Sequence, residues 1–127
     1  MQKMEELTPY QPDNPLLNLS FDFAVAVIAF CKELRAIREF EMSHQLFKSG
    51  TSIHAQIREA QHPASRADFV NKLKTGQKEA CETEGWLFMC LYAPGYPDPR
   101  TLLHRLDPIQ RLLTSSIETA RRNNSSK

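Results

Sequence analysis

Glu41-x-x-His44 and Glu59-x-x-His62 are the pairs in this chain whose types and spacing could do chemistry. Three residues apart on a helix, a carboxylate and an imidazole share a face, and such a pair on each of two facing helices is the ligand set of a di-iron bundle. Here both pairs fall on one helical tract, eighteen residues apart. That is about 27 Å along a helix axis, so they cannot enclose one metal. His62 also abuts Pro63, where the tract ends. Glu79 and Glu82 share a face as well, and Glu59 could meet them from a neighbouring helix. Acidic groups facing Arg58 or Lys78, or hydroxyls such as Ser52 and Thr83, would fix helix register rather than catalyse.

Nucleophilic chemistry has no better support. Cys31, Cys81 and Cys90 are odd in number and lack Cys-x-x-Cys spacing, and nothing orders them against the four histidines. Cys81 and Cys90 lie too far apart along one helix for a disulfide. Ser49-Gly50-Thr51-Ser52 has the composition of an anion cradle, yet it falls mid-helix, where backbone N–H groups are already bonded. Its small residues suit a close helix approach instead. The reading is a non-enzymatic protein with no catalytic, cofactor-binding or metal residues.

The elements that carry these residues are four helical tracts. Asn14 caps a first helix with Pro15 at its first position, or the helix begins one turn later at Ser20; it runs to about Ile37. The second spans about Glu41 to Gln61 and stops before Pro63. Ser65-x-x-Asp68 has capping-box spacing and opens a third helix to Tyr92. After the break Ala93–Pro99, Asp98 caps a fourth helix that ends near Arg122, with Pro108 expected to kink or split it at Asp107. Apolar residues recur at helical spacing, as in Met42, Leu46, Ile53 and Ile57. Short connections make this an all-α, antiparallel up-down-up-down four-helix bundle over 14–122, with a flexible arm (1–13) and a frayed tail (123–127).

Helix 1 carries two apolar stripes, Leu17, Phe21, Ala24, Ile28 and Cys31, then Phe23, Val27, Phe30, Leu34 and Ile37. A bundle helix buries one broad face, so Phe23, Val27, Phe30 and Leu34 are expected to meet another chain; the alternative is one wide core face.

At 127 residues and a net charge of +1, the chain has no overall basic excess of the kind that nucleic-acid binders carry. The N-terminus lacks a secretory pattern and the apolar run Phe23 to Phe30 is short for a bilayer, so a cytoplasmic location without membrane contact is expected. Basic residues gather locally as Lys32, Arg35 and Arg38, as Lys74 and Lys78, and as Arg121 and Arg122. Each set alone reads as a solvated face, but repeated over the copies of an oligomer they could contact phosphates. Trp86, Phe88, Tyr92 and Tyr96 read as packing residues near the end of helix 3.

Ser43-x-Gln45-Leu46-x-Lys48-Ser49-Gly50-Thr51-Ser52-Ile53, Ile57-Arg58-Glu59-Ala60-Gln61, Ser65-x-Ala67-Asp68-Phe69 and Lys78-Glu79-Ala80-x-Glu82-Thr83-Glu84-x-Trp86-Leu87 form a long ordered series. It resembles the four-helix bundle proteins encoded within intervening sequences of bacterial 23S rRNA genes, which are related to the accessory variability determinant of diversity-generating retroelements. The resemblance runs from about Leu19 to Ile117. It implies a bundle commonly assembled as a homopentamer, no enzymatic activity, and Ser52, Gln56, Arg58, Glu59, Glu79, Glu82 and Glu84 as its signature polar residues. In the retroelement branch it also implies nucleic-acid binding. The family usually has Gly or Pro in place of His54, and Asn in place of Gln56. The expectation is a homo-oligomeric interaction protein of unestablished role, whose partner is itself and RNA or an RNA-processing protein. The alternative is direct RNA or DNA binding through basic stripes of the ring.

Overall fold

The computed structural model describes residues 7–125; the first residues of the expected arm and the last two of the expected tail lie outside them. Four helices follow in order: α1 (Pro15–Ala36), α2 (Phe40–Glu59), α3 (Arg66–Tyr92) and α4 (Arg100–Ser125). Each packs on the next, and α1 also packs on α4, so the chain is an all-α up-down bundle.

Local chemistry sets the ends. Asn14 Oδ1 accepts from the Leu17 N–H at 3.1 Å, and Pro15 takes the first helical position. Ser65 Oγ accepts from the Asp68 N–H, while the Asp68 carboxylate reaches back to the Ala64 N–H, each at 3.0 Å. Asp98 Oδ1 accepts from the Arg100 N–H. At the α1 end, Arg38 takes a left-handed conformation (φ 65°), with its N–H on the Arg35 carbonyl and the Glu39 N–H on the Leu34 carbonyl. This is a Schellman turn with arginine where glycine is usual.

The core is built from all four helices, with Leu17, Leu46, Leu73 and Leu106 among its fully buried side chains. Phe23, Val27, Phe30 and Leu34 belong to it as well: none is more than 5% exposed. This corrects the expectation that they meet another chain. The two stripes merge into one wide face, because steps of three and four residues keep both within a single sector of the helix. Phe21 and Ile28 border that face, Ile37 just past the helix end is 49% exposed, and the apolar residues of α1 pointing outward include Leu19, Val25 and Ala29. By length and composition α1 could also cross a bilayer, since Leu16, Leu17 and Leu19 extend the run beyond Phe23.

Small and polar residues fix how closely helices approach. A Cβ built on Gly50 would lie 2.8 and 2.9 Å from the two γ-carbons of Val27, so α2 meets α1 at a distance only glycine allows. Ser49 and Thr83 bond across α2 and α3 at 2.9 Å. Ser43 Oγ donates to the Cys31 carbonyl, and Cys31 Sγ donates back to the Ser43 carbonyl. These partners satisfy groups that would otherwise be costly to bury.

Two expectations change. Helix α4 is not split at Asp107: Pro108 stands inside it, and the helix continues to Ser125, past the Arg122 end. Proline in a helix interior costs about 3 kcal/mol. Burial of Leu106, Ile109 and Leu113 on either side of it offsets this at about 1.5–3 kcal/mol each. Within the segment expected to be a flexible arm, residues 9–11 are bound to the bundle, as described next.

Candidate functional site

His54, on α2, faces Ser20 of α1. The two are 2.9 Å apart through Nδ1 and Oγ, and Ser20 Oγ donates to the Leu17 carbonyl. Arg58, one turn on, donates from Nε to His54 Nε2 at 3.1 Å. A guanidinium only donates, so Nε2 must be the acceptor and the imidazole is neutral, with its proton on Nδ1 toward Ser20. Arg58 also donates to the Pro9 carbonyl at 3.2 Å. Tyr10 then donates to Asp22 at 2.6 Å and sets its ring edge-on to Phe21, which is itself edge-on to His54. Gln11 and Asn18 close the strap with two bonds of 2.9 Å. Arg58 thus ties Pro9 to α2, while Tyr10 and Gln11 are held on α1 by Asp22 and Asn18.

Burial, then the Arg58 charge, hold the His54 imidazole below its ordinary value. The neutral form is therefore the folded form, and an unfolded chain binds this proton first as pH falls. The contribution of His54 to stability is full above its ordinary value of 6.5 and is lost as pH drops toward the folded value. Urea unfolding midpoints of the parent should fall more between pH 7.5 and pH 5 than those of His54→Gln. Equal losses in both proteins would refute this assignment.

Two of the signature acids, Glu59 and Glu79, lie along the α2–α3 seam. Glu59 pairs with Lys72 at 2.9 Å, rather than with Arg58 or Lys78. Glu82 accepts from Trp86 Nε1 at 3.3 Å. Burial and the neighbouring Glu82 charge push the Glu79 carboxyl up. Ser52 Oγ donates to the Lys48 carbonyl within its own helix, Gln56 sits half-buried beside Gly76, and Glu84 is half-buried. At the end of this seam, Glu39, Phe40, Glu41, Met42, His44, Gln45, Trp86 and Tyr96 surround a groove of ≈ 550 Å³.

The basic residues do not form one stripe. Arg66, Lys74 and Arg121 line a small hollow between α3 and α4. Lys32, Arg35 and Arg38 are exposed at the opposite end of the bundle, and Lys78 and Arg122 are exposed separately. Arg66 was not among the expected contacts, although its spacing of eight from Lys74 brings both toward α4. A larger hollow nearby, ≈ 600 Å³, collects Ser65, Ser115, Ser116 and Thr119 around Phe69 with Arg66, but no general base. Glu41-x-x-His44 and Glu59-x-x-His62 do not converge, and among the described residues no group of three or more His, Cys, Asp or Glu is placed to hold a metal.

One long groove runs between α1 and α4. Its ≈ 610 Å³ are lined by Leu19, Phe21, Val25, Ala26 and Ala29 on α1 and by Arg105 and Pro108 on α4, with Tyr10 and Asp22 at its edge. Val25 is 50% exposed there. This is the outward apolar face of α1 that the sequence reading assigned to the wrong residues.

The family model described as 23S rRNA-intervening sequence protein matches residues 13–115. That span holds His54, Arg58 and the α2–α3 acids. Among solved structures, the chain is similar to a protein of unknown function from the S23 ribosomal protein family of Bacteroides thetaiotaomicron VPI-5482. The two are 40% identical, with a TM-score of 0.77 over 80% of this chain and 97% of that one. A search of curated proteins finds no match. With the bundle, its signature polar residues and the family match in agreement, this chain belongs to the 23S rRNA-intervening sequence protein family.

Proposed function

We propose that the chain is a non-enzymatic, homo-oligomeric interaction protein of the cytoplasm, a pentamer as the family resemblance implies. The observation that supports this reading is the outward face of α1, where Leu19, Val25, Ala26 and Ala29 leave an apolar groove against Pro108. An apolar strip on a core helix is the kind of surface that a second copy covers. Native mass spectrometry tests it, with Val25→Glu as the variant. The parent should appear as a closed oligomer at micromolar concentration, and the variant as a monomer of unchanged helicity. A monomeric parent would overturn the reading. Adding structured RNA to the same sample tests the alternative: a mass increment lost at higher salt would put RNA binding first.

A further inference from the structure

Phe40, Trp86 and Tyr96 come from three separate stretches: the first turn of α2, the last turns of α3 and the loop before α4. All three line the ≈ 550 Å³ groove with the carboxylates of Glu39 and Glu41. Trp86 and Tyr96 pack part of their surface on the core, and the rest of each lines the groove. Phe40 is 56% exposed, so it is not serving the core. Glu39 is the N-cap residue of α2, yet its side chain makes no capping bond. It lies in the groove beside Tyr96 instead, and burial followed by this carboxylate pushes the Tyr96 hydroxyl up. Among the described residues, neither Glu39 nor Glu41 forms an ion pair.

The charges around the groove decide what it can hold. Its walls contain two carboxylates and one histidine, His44, and no lysine or arginine. Arg35 lies in the adjoining hollow, across Phe40 and His44. The α2 N-terminus adds a partial positive charge of about half a unit, less than two carboxylates supply. Phosphates are therefore disfavoured and a cation is favoured. Aromatic faces beside carboxylates suit a guanidinium best, because it stacks flat on a ring while its edge donates to an acid.

We infer that this groove takes an arginine side chain from a basic segment of a partner protein. The inference deepens the interaction-protein reading by naming a partner class, and it does not require the chain to be oligomeric.

The chain has a single tryptophan, Trp86, so the groove carries its own reporter. The experiment titrates the full chain with a peptide of alternating arginine and alanine, following Trp86 emission and the anisotropy of a labelled peptide. A peptide with glutamine in place of arginine is the control. The arginine peptide should saturate and shift Trp86 emission, and the control should do neither. The paired variant Glu39→Gln/Glu41→Gln should weaken binding about tenfold, and Phe40→Ala should also weaken it. Phe40 and Glu41 are exposed and Glu39 is half-buried, and circular dichroism checks that the variants fold. No saturable binding, or unchanged affinity in the folded Glu39→Gln/Glu41→Gln protein, would overturn the inference. A changed native mass in that variant, with peptide affinity intact, would assign the groove to a second copy and overturn it as well. Binding retained by monomeric Val25→Glu would separate this proposal from the oligomer reading.

Discussion

Val27→Glu should unfold the protein rather than separate its copies. Val27 is 0% exposed, and its γ-carbons fill the space that a Cβ on residue 50 would need. No basic side chain lies among the buried residues to receive a carboxylate there. Burying one unpaired costs several kcal/mol. A domain of this size is stable by only about 5–15 kcal/mol, so the native state should be largely depleted. Circular dichroism should show lost helicity or a sharply lowered melting temperature. Val25→Glu, two residues away on the outward side, is the control and should keep the parent's helicity. Parental melting in Val27→Glu would mean that this side chain does not belong to the core.

Gly50→Ala should destabilise the bundle by about 1–3 kcal/mol, although alanine favours a helix over glycine by about 1 kcal/mol. The added methyl would sit 2.8 Å from Val27, on a helix that cannot retreat without opening the core around Leu46 and Ile53. The sign of the change is therefore informative: propensity predicts a gain and packing a loss. Val27→Ala would empty the contested space, so Gly50→Ala should cost much less in its presence than alone. Chemical unfolding of the two single variants and the double variant measures this coupling. A more stable Gly50→Ala would show that α1 and α2 can separate at that point.

The helices were legible because punctuation and periodicity agree. Asn14-Pro15, Ser65-x-x-Asp68 and the proline-rich break before Arg100 each act through neighbouring residues, so spacing alone reveals them. The small residues around Gly50 were also readable as a close approach. What the sequence could not supply was which side of α1 faces inward. Phe23 and Val27 are as apolar as Val25, and only the position of α2 and α4 separates core from surface. Pro108 allowed either a kink or a split, and the split does not occur for the related reason that burial of its neighbours outweighs a local preference. The strap to Pro9 and Tyr10 was invisible, since its bonds join residues up to 49 positions apart. The aromatic-acidic groove was half visible: Trp86 and Tyr96 stood out as a cluster, but its closure by Glu39 and Phe40 depends on the turn at Arg38.

The three thiols are unequal. Cys31 is buried against the Ser43 carbonyl, with burial pushing its thiol up, and Cys90 is buried and pushed up to about 11. Cys81 alone is exposed. Since the thiolate is the reactive species, a neutral alkylating agent meets one available sulfur on the folded chain. The other two are released only when the helices that bury them part. The number of adducts per molecule thus registers how often the bundle breathes open, without any engineered label.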